Sequence, residues 1–282
     1  MDNVVPYSSL PDDVDGIVYE HGHDSVPRAG VLPGSTIELT HCSSEVYPGT
    51  ARSVWIHVPA ACTSSEPPAV MFFQDGWWYL DPAGQVRAGI VLDNLTSAGA
   101  IRPTIGVFVD PGLRADIVDP RLRKNRNIEY DAFDDRYATF LTEEIAPLVR
   151  QHVPITDDPD GWGICGGSSG GNCAFTTAWM RPDRFRRVIA YLSSFAQLPE
   201  GNPYPDLISN MPPKPLRVFM QAARYDLGHH QRERNWYAEN LRVSAALDEA
   251  GYDHRLVLGD GGHSANHGGV LLPDALRWVW RN

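Results

Sequence analysis

The fold of this chain is decided by one stretch, WGICGGSSGG at residues 162–171. Its glycine-rich half fits G-x-S-x-G, the pattern that holds a serine on a sharp turn between a strand and a helix, with its hydroxyl projecting above a sheet. Glycines suit that turn because the serine backbone is strained and because side chains beside it would block the approach of strand, helix and substrate. We therefore predict a nucleophilic serine here. No lysine follows the glycines, which excludes a phosphate-binding loop of the P-loop type.

The same run leaves the choice of serine open. Residues 166–170 satisfy the pattern with Ser168 at the centre, and residues 167–171 satisfy it with Ser169. A glycine-rich turn between a strand and a helix can also be a simple connection with no catalytic role. The rest of the chain therefore has to supply the partners that a nucleophile needs.

Outward from this turn, strand-like and helical patterns alternate along the chain. We predict strands over residues 35–41, 52–59, 69–74, 104–110, 161–166, 187–193, 216–222 and 254–259. We predict helices over residues 86–97, 133–153, 169–180, 234–250 and 268–280. Two early strands joined by a short turn, followed by alternating strands and helices, predict an antiparallel N-terminal hairpin that leads into a mostly parallel sheet with helices on both faces. Functional loops should gather at the carboxyl ends of the parallel strands.

The length permits one large α/β domain or two small ones, and the composition is ordinary for a globular protein. Residues 1–34 are rich in Pro, Gly, Asp and Ser and predict an extended arm, and residues 35–282 predict a single domain. The formal net charge of −11 argues against nucleic acid or an anionic membrane as a partner. The N-terminus lacks the basic and apolar segments of a secretory signal, and no apolar run approaches the roughly 18 residues that span a bilayer. Four scattered cysteines give no disulfide framework. We expect a cytoplasmic location.

A serine hydroxyl needs an imidazole to take its proton and a carboxylate to orient that imidazole. The order that accompanies the G-x-S-x-G turn is Ser, then Asp or Glu, then His. His263 lies in the glycine loop after the predicted strand 254–259, which suits a catalytic base. The alternative candidate, His267, lies at the start of the last helix, where we expect its imidazole to pack or to form a hydrogen bond with the backbone. We predict that His263 is the base.

The acid should follow a strand between the serine and the histidine. Asp226 comes just past the predicted strand 216–222, although a solvated turn is a common place for an aspartate. Asp260 is too close to His263 in sequence to be the first choice, and Asp206 lies in a proline-rich loop. We predict that Asp226 is the acid.

An oxyanion hole is the remaining requirement. One donor is the backbone N–H of the residue after the nucleophile, and the other comes from the loop after the third strand. That loop contains Gly76, Trp77, Trp78 and Tyr79. We predict the Trp77 amide as the second donor, with Gly76 as the alternative. Three successive aromatic residues cannot all face inward, so at least one of them should line the pocket.

A metal site is the competing interpretation of the histidines. His229, His230, His263 and His267 could supply imidazoles, with Asp226 as a carboxylate. The chain has no HExxH sequence, whose glutamate serves as a general base in metalloproteases. We expect neither a metal ion nor another cofactor.

Beyond the turn, the chain resembles the esterase family of α/β-hydrolases that includes enterochelin (siderophore) esterases, feruloyl esterases and the esterase D type. The landmarks of the resemblance are residues 73–76, 108–112, 126–131, 166–171, 174–175, 178–179, 181–183, 226–227, 261–263, 267–269 and 273–278. The resemblance implies an α/β-hydrolase fold and a register in which Ser168 is the nucleophile and the Ser169 amide is an oxyanion donor. By the same comparison, Asp226 and His263 take the acid and base positions.

The resemblance leaves the substrate open. The doubled tryptophan after Gly76 is bulky for the family, and Arg224 stands in a segment where relatives often have a glycine. We predict substrate contacts from Trp78, Tyr79, Arg126, Glu129 and Arg224, with Arg126 and Glu129 either orienting the substrate or bracing the pocket. A siderophore-type trilactone suits the family, but an anionic iron complex would need cations such as Arg126, Arg114 and Arg224. An aromatic or polyketide-like ester or lactone fits the aromatic residues equally well.

We therefore predict a serine hydrolase that cleaves a small-molecule carboxylic ester or lactone through an acyl-enzyme. An acyltransferase with the same triad and a catalytically silent binding protein on the same scaffold are the alternatives. Neither a nucleic acid nor a membrane is expected as a partner, and a homodimer is left open.

Overall fold

The computed structural model describes residues 17–63, 66–119 and 124–282. Within these ranges the chain forms nine strands in one sheet. They are β1 (Ser35–His41), β2 (Thr50–Val58), β3 (Ala69–Gln74), β4 (Thr104–Val109), β5 (Leu113–Arg114), β6 (Trp162–Gly167), β7 (Arg187–Tyr191), β8 (Arg217–Ala223) and β9 (Asp253–Gly259). The strand order is β1-β2-β4-β3-β6-β7-β8-β9, and the short β5 pairs with β2 outside that path.

Nine α-helices lie among the described residues. They are α1 (Gly76–Leu80), α2 (Ala88–Ser97), α3 (Arg126–Tyr130), α4 (Arg136–Phe140), α5 (Ala146–Arg150), α6 (Ser169–Met180), α7 (Tyr204–Asn210), α8 (Trp236–Glu249) and α9 (Ala265–Val279). A π-helical segment, Leu141–Ile145, joins α4 to α5, and single 3₁₀ turns occur at His23–Ser25, Pro159–Gly161 and Phe195–Gln197.

The pairing of the strands confirms the predicted sheet. β1 and β2 form an antiparallel hairpin, β2 pairs antiparallel with β4, and all pairs from β4 to β9 are parallel. Both faces of the sheet are covered, as the alternate residues of β3 show. Val70 and Phe72 pack in the larger core cluster, whereas Met71 and Phe73 pack in a second cluster on the opposite face. Alternate residues of a strand point to opposite faces, so a strand buried on both sides has to be continuously apolar.

The structure differs from the predicted elements mainly at short helices. The single helix predicted over residues 133–153 is α4, the π-helical segment and α5 in succession, and it begins only at Arg136. The helices α1, α3 and α7 and the two-residue β5 were not predicted from the sequence. Elements this short do not show a full period of the apolar pattern, so tertiary contacts decide their conformation.

Residues 17–34 of the predicted arm run along the face covered by α2 and α9. Asn94 of α2 donates hydrogen bonds to the carbonyls of Asp24 and Val26, both at 2.9 Å. Arg277 of α9 pairs with Asp24 at 2.6 Å. Residues 1–16 of the arm lie outside the described residues.

Candidate active site

Ser168 occupies the turn between β6 and α6, and its backbone is strained as predicted. Its φ of 61° and ψ of −129° are rarely adopted by a residue that carries a side chain. The turn is fixed by its backbone: the Ser168 amide donates to the Tyr191 carbonyl at 2.9 Å, and the Ser194 amide donates to the Ser168 carbonyl at 3.2 Å. A Cβ at Gly166 would collide with the backbone of Gly170 across the turn, so the first glycine of the run is needed for this close approach.

The two neighbouring serines have different environments. The Ser169 side chain is buried and its hydroxyl donates to Asp131 Oδ2 at 2.9 Å, while Ser194 donates to the other oxygen of Asp131 at 2.6 Å. Ser168 instead projects into a cavity beside His263. Ser169 is the first residue of α6, so its amide has no acceptor within the helix and is free to donate to a ligand.

A hydrogen-bonded chain links Ser168, His263 and Asp226. Ser168 Oγ lies 3.1 Å from His263 Nε2, and His263 Nδ1 lies 2.6 Å from Asp226 Oδ1. The His263 loop follows β9 and precedes α9, and Asp226 follows β8. Trp236 at the start of α8 packs edge-on against the His263 ring, with the ring centroids 5.0 Å apart. Three residues that are far apart in sequence thus meet at the carboxyl edge of the sheet.

Asp226 is held rigidly behind the imidazole. Its side chain is fully buried, and Oδ1 also accepts the Leu227 amide at 2.7 Å. No partner for Oδ2 is found among the described residues. The buried carboxylate, whose Oδ1 faces Nδ1, favours the tautomer in which Nδ1 carries the proton and Nε2 can accept one.

His267 has a separate, structural environment. Its Nδ1 lies 3.1 Å from Gln221 Nε2, and its ring stacks on Tyr19 with the centroids 4.1 Å apart. Burial lowers the pKa of His267, although nearby Asp260 opposes this. The imidazole therefore packs as predicted, although its hydrogen-bond partner is a side chain and not the backbone.

The cavity beside Ser168 has a volume of about 180 Å³. Its walls are made by residues of strand ends, helix starts and loops: Asp75, Trp78, Tyr79, Gln85, Val86, Arg126, Gly167, Tyr191, Leu192, His263, Ser264 and Ala265. Two of the three successive aromatic residues are among them. Tyr79 is buried and Trp78 is 54% exposed at the mouth, whereas Trp77 lies outside the wall and packs against Trp55.

The predicted second oxyanion donors do not line this cavity. Neither Gly76 nor Trp77 is among its wall residues, and the Trp77 amide already donates to Asp110 Oδ1 at 3.3 Å. Burial raises the pKa of Asp110, and the hydrogen bond from the Trp77 amide partly offsets this. The geometry therefore gives the Trp77 amide another acceptor, and the identity of the second donor stays a prediction.

Arg126 reaches the cavity but is already paired. Its Nε and one terminal nitrogen each bond an oxygen of Asp75 at 2.7 Å, and that nitrogen also lies 3.4 Å from the Gly167 carbonyl. Burial disfavours the charged guanidinium, but the bonds to Asp75 outweigh burial and raise the pKa of Arg126. The side chain braces the approach to Ser168 as an ion pair and is not a free cation.

Two of the predicted substrate contacts, Glu129 and Arg224, are not among the wall residues of this cavity. Glu129 is buried and forms a two-pronged ion pair with Arg52 at 2.6 and 3.0 Å, and its Oε1 also accepts the Gly112 amide. Its position inside the domain makes it a structural brace. Arg224 is exposed and lies outside the cavity wall, with its guanidinium beside Tyr225. Arg114 is not a wall residue either, and it pairs with Asp116 on the surface at 2.6 Å.

Several residues of the site gave no clear signal in the sequence. Asp75 and Asp131 stand within stretches that carried the family resemblance, but only their contacts show that one pairs with Arg126 and the other holds Ser169. Leu192 lines the cavity with a φ of 47°, which no local pattern predicts for a leucine.

The described ranges contain no group of three or more His, Cys, Asp and Glu side chains arranged to hold a metal ion. None of the helices found in these ranges has the length and apolar character that crossing a membrane requires. The four cysteines are free, and Cys165 and Cys173 are buried in β6 and α6, where burial raises the pKa of both thiols.

The strand order, the serine turn after β6 and the loops that carry Asp226 and His263 define an α/β-hydrolase fold. Residues 45–269 match the family described as "Putative esterase", and the chain belongs to that family.

Relatives and solved structures agree with this assignment. The chain is 24% identical over 245 residues to the iron(III) enterobactin esterase of Dickeya dadantii, a match that covers 81% of this chain and 51% of that protein. The enterobactin esterase of Shigella flexneri superposes with a TM-score of 0.70 at 21% identity, over 91% of this chain and 62% of that one. A ferulic acid esterase of the anaerobic fungus Anaeromyces mucronatus superposes with a TM-score of 0.71 at 17% identity, over 92% of this chain and 96% of that one. The chain thus spans about half to three fifths of the enterobactin esterases and nearly all of the fungal enzyme.

Proposed function

We propose that this protein is a serine hydrolase that cleaves a carboxylic ester or lactone through an acyl-enzyme. The observation that carries the proposal is the chain of hydrogen bonds from Asp226 through His263 to Ser168, at the wall of a cavity. A nucleophile, a base and an orienting carboxylate within hydrogen-bond reach are the signature of nucleophilic catalysis. Ser169 is excluded as the nucleophile in this proposal because its hydroxyl is buried on Asp131.

The acylation step follows from this geometry. Ser168 Oγ attacks the ester carbonyl carbon while its proton passes to His263 Nε2, and Asp226 stabilises the imidazolium that forms. The negative charge that develops on the carbonyl oxygen is met by the Ser169 amide at the start of α6. When the bond to the alcohol oxygen breaks, Nε2 returns the proton to that oxygen and the alcohol leaves.

Deacylation uses the same groups with water as the nucleophile. His263 Nε2 removes a proton from water, the hydroxide attacks the acyl carbon, and the proton then returns to Ser168 Oγ as the acid leaves. The His263 side chain is 27% exposed, so water reaches the imidazole in the open enzyme. This access favours hydrolysis over transfer of the acyl group to another alcohol or amine.

The cavity favours a compact, weakly charged substrate group. An apolar cavity of roughly 150 Å³ holds a benzene molecule, and the cavity beside Ser168 measures about 180 Å³. Tyr79 in its wall and Trp78 at its mouth suit an aromatic ring. Arg126 is the only Arg or Lys among the described wall residues, and Asp75 neutralises it. Within the two substrate classes that the family suggests, we therefore propose an aromatic ester or lactone over an anionic iron–siderophore complex.

The proposal is tested by labelling with a fluorophosphonate probe and by hydrolysis of p-nitrophenyl acetate. We expect wild type and Ser169→Ala to be labelled, and Ser168→Ala to remain unlabelled and to hydrolyse the ester at least about 10³-fold more slowly. An unlabelled wild type would favour a silent binding protein. Labelling that survives in Ser168→Ala but not in Ser169→Ala would show that the register is wrong.

The substrate class is tested with a panel scored by kcat/KM. We expect methyl ferulate and phenyl-ring lactones to exceed iron(III) enterobactin, because a bulky trianionic complex cannot enter the cavity. A higher kcat/KM for iron(III) enterobactin would overturn the substrate class and leave the esterase proposal standing. Product analysis with a primary alcohol added to the reaction distinguishes hydrolysis from acyl transfer. A cytoplasmic location and a homodimer remain predictions.

A further inference from the structure

The loop that carries His263 is held at both ends by one residue of the N-terminal arm, Tyr19. The Tyr19 hydroxyl accepts the Asp260 amide at 3.0 Å, three residues before His263. The Tyr19 amide donates to Asn266 Oδ1 at 2.7 Å, and Asn266 Nδ2 donates back to the Tyr19 carbonyl at 3.0 Å, three residues after His263. The Tyr19 ring also stacks on His267 at an interplanar angle of 15°.

The partners of Tyr19 are themselves fixed. Asn266 and His267 belong to the first turn of α9, and His267 is tied to Gln221 of β8. A Cβ at Gly259, where the loop leaves β9, would lie 3.0 Å from the Tyr19 hydroxyl oxygen and closer still to His267. Gly259 thus allows β9, the His267 imidazole and Tyr19 to lie close together. The contacts of Tyr19 with Asp260, Asn266 and His267 join the two ends of the His263 loop.

The arm gives Tyr19 a rigid support. Asn94, buried in α2, binds the carbonyls of Asp24 and Val26, and Arg277 of α9 binds the Asp24 carboxylate. The Gly34 amide donates to Asp93 of α2 at 3.0 Å. Four attachments to two helices therefore hold the residues that follow Tyr19 and limit how far this part of the arm can move from the loop.

We propose that Tyr19 is a positioning residue for catalysis, which fixes the span of residues 260–266 and so keeps His263 Nε2 within reach of Ser168. Tyr19 does not line the cavity and does not touch the reacting groups. Its effect should therefore appear in the chemical step and not in substrate binding. The proposal rests on the proposed role of His263 as the base.

The experiment compares Tyr19→Ala, Tyr19→Phe and Asn266→Ala with wild type and with Val18→Ala, whose side chain is exposed next to Tyr19. Hydrolysis of p-nitrophenyl acetate gives kcat and KM, and hydrogen exchange gives the protection of residues 260–266. A misplacement of about 1 Å can cost about 10²-fold in rate. We expect Tyr19→Ala to lower kcat about 10- to 100-fold with KM within about twofold, and to speed exchange in the loop but not in β6 or α6.

The other variants separate the contributions. Tyr19→Phe keeps the stack on His267 but loses the bond to the Asp260 amide, so we expect a fall in kcat of about fivefold, the equivalent of one hydrogen bond. Asn266→Ala loses both backbone bonds and should approach Tyr19→Ala. Val18→Ala should match wild type. Tyr19→Phe and Asn266→Ala keep the test decisive if Tyr19→Ala does not fold.

Three results would overturn the proposal. They are a kcat of Tyr19→Ala within twofold of wild type, unchanged exchange in residues 260–266, and a rise in exchange that is spread evenly over the domain, since the last would indicate general destabilisation. If wild type hydrolyses no ester and takes no fluorophosphonate, the proposed function fails instead. The exchange measurement still decides in that case whether Tyr19 holds the loop.

Discussion

The two halves of the candidate site are built in different ways. The serine half is a backbone structure: β6, the turn at Ser168 and the start of α6 are contiguous, and glycines allow their close approach. The histidine half is a loop whose position depends on side chains from distant segments, namely Tyr19, Trp236 and Asp226. The serine half is therefore encoded locally, whereas the histidine half is assembled by segments from the whole chain. Substitutions in the two halves should therefore fail in different ways.

The largest effect is expected from the backbone of the serine half. In Gly166→Ala the new Cβ would fall on the Gly170 carbonyl, which is backbone and cannot turn aside as a flexible side chain would. We expect Gly166→Ala to lose the folded protein and, with it, all ester hydrolysis. Circular dichroism and ester hydrolysis check this. Gly22→Ala, where a Cβ meets no atom within 4 Å, should behave as wild type.

A large effect without loss of the fold is expected from the acid of the histidine half. Asp226→Asn removes the acceptor that selects the tautomer of His263, and we expect kcat to fall on the order of 10³–10⁴-fold. The measured quantities are kcat and the melting temperature. Asp206→Asn, an exposed alternative acid in α7, is the matched control and should change neither. An unchanged kcat in Asp226→Asn would contradict the assignment of the acid.

A smaller effect is expected beneath the serine turn. Asp131 accepts hydrogen bonds from Ser169 and Ser194 at 2.9 and 2.6 Å, and from Asn127 at 2.7 Å. Asp131→Asn replaces one acceptor by a donor, so we expect a loss of about 1.5–3 kcal/mol in the free energy of unfolding and a fall in kcat of about tenfold as the Ser169 amide shifts.

The control for Asp131→Asn is Asp134→Asn, which breaks a surface ion pair with Arg136. Exposed pairs contribute at most about 1 kcal/mol, so this control should change neither quantity appreciably. Equal effects of the two variants would show that the contacts of Asp131 do not support the turn.

The smallest effect concerns pH and the histidine half. Burial lowers the pKa of His267, with Asp260 opposing, so the folded state favours the neutral ring that stacks on Tyr19. Below the unfolded value of about 6.5 the unfolded chain binds more protons than the folded one, so stability falls as the pH falls. A single proton limits this slope to about 1.4 kcal/mol per pH unit.

We expect the shallow loss between pH 7 and 5 to diminish in His267→Phe, which keeps a ring against Tyr19 but cannot titrate. Urea unfolding at a series of pH values measures the slope. Burial also lowers the pKa values of His254 and His21, and these residues contribute equally in wild type and in His267→Phe. The difference between the pH slopes of the two proteins therefore isolates the contribution of His267. Identical slopes would contradict the prediction.

Much of the fold was predictable because its signals are local. Predicted strands 35–41 and 69–74 and helix 169–180 coincide with the observed ones, since continuous apolar runs and helical periodicity depend on neighbours in sequence. The short α1 and α3 were not predicted, although they carry Trp78 and Arg126 to the cavity. Glu129 shows the same limit. A charged residue in a motif cannot be assigned to substrate or to a buried ion pair until Arg52 is found beside it, 77 residues away.

The sequence by itself determined the turn at Ser168 and the sheet that supports it, because glycines and apolar runs restrict the backbone wherever they occur. It also predicted Asp226 and His263 as partners from chain order and resemblance. Only the tertiary structure decided which serine is free, since Asp131 buries the hydroxyl of Ser169. Only the tertiary structure placed Tyr19 at the base of the His263 loop, because a contact between residues 241 positions apart leaves no trace in local sequence.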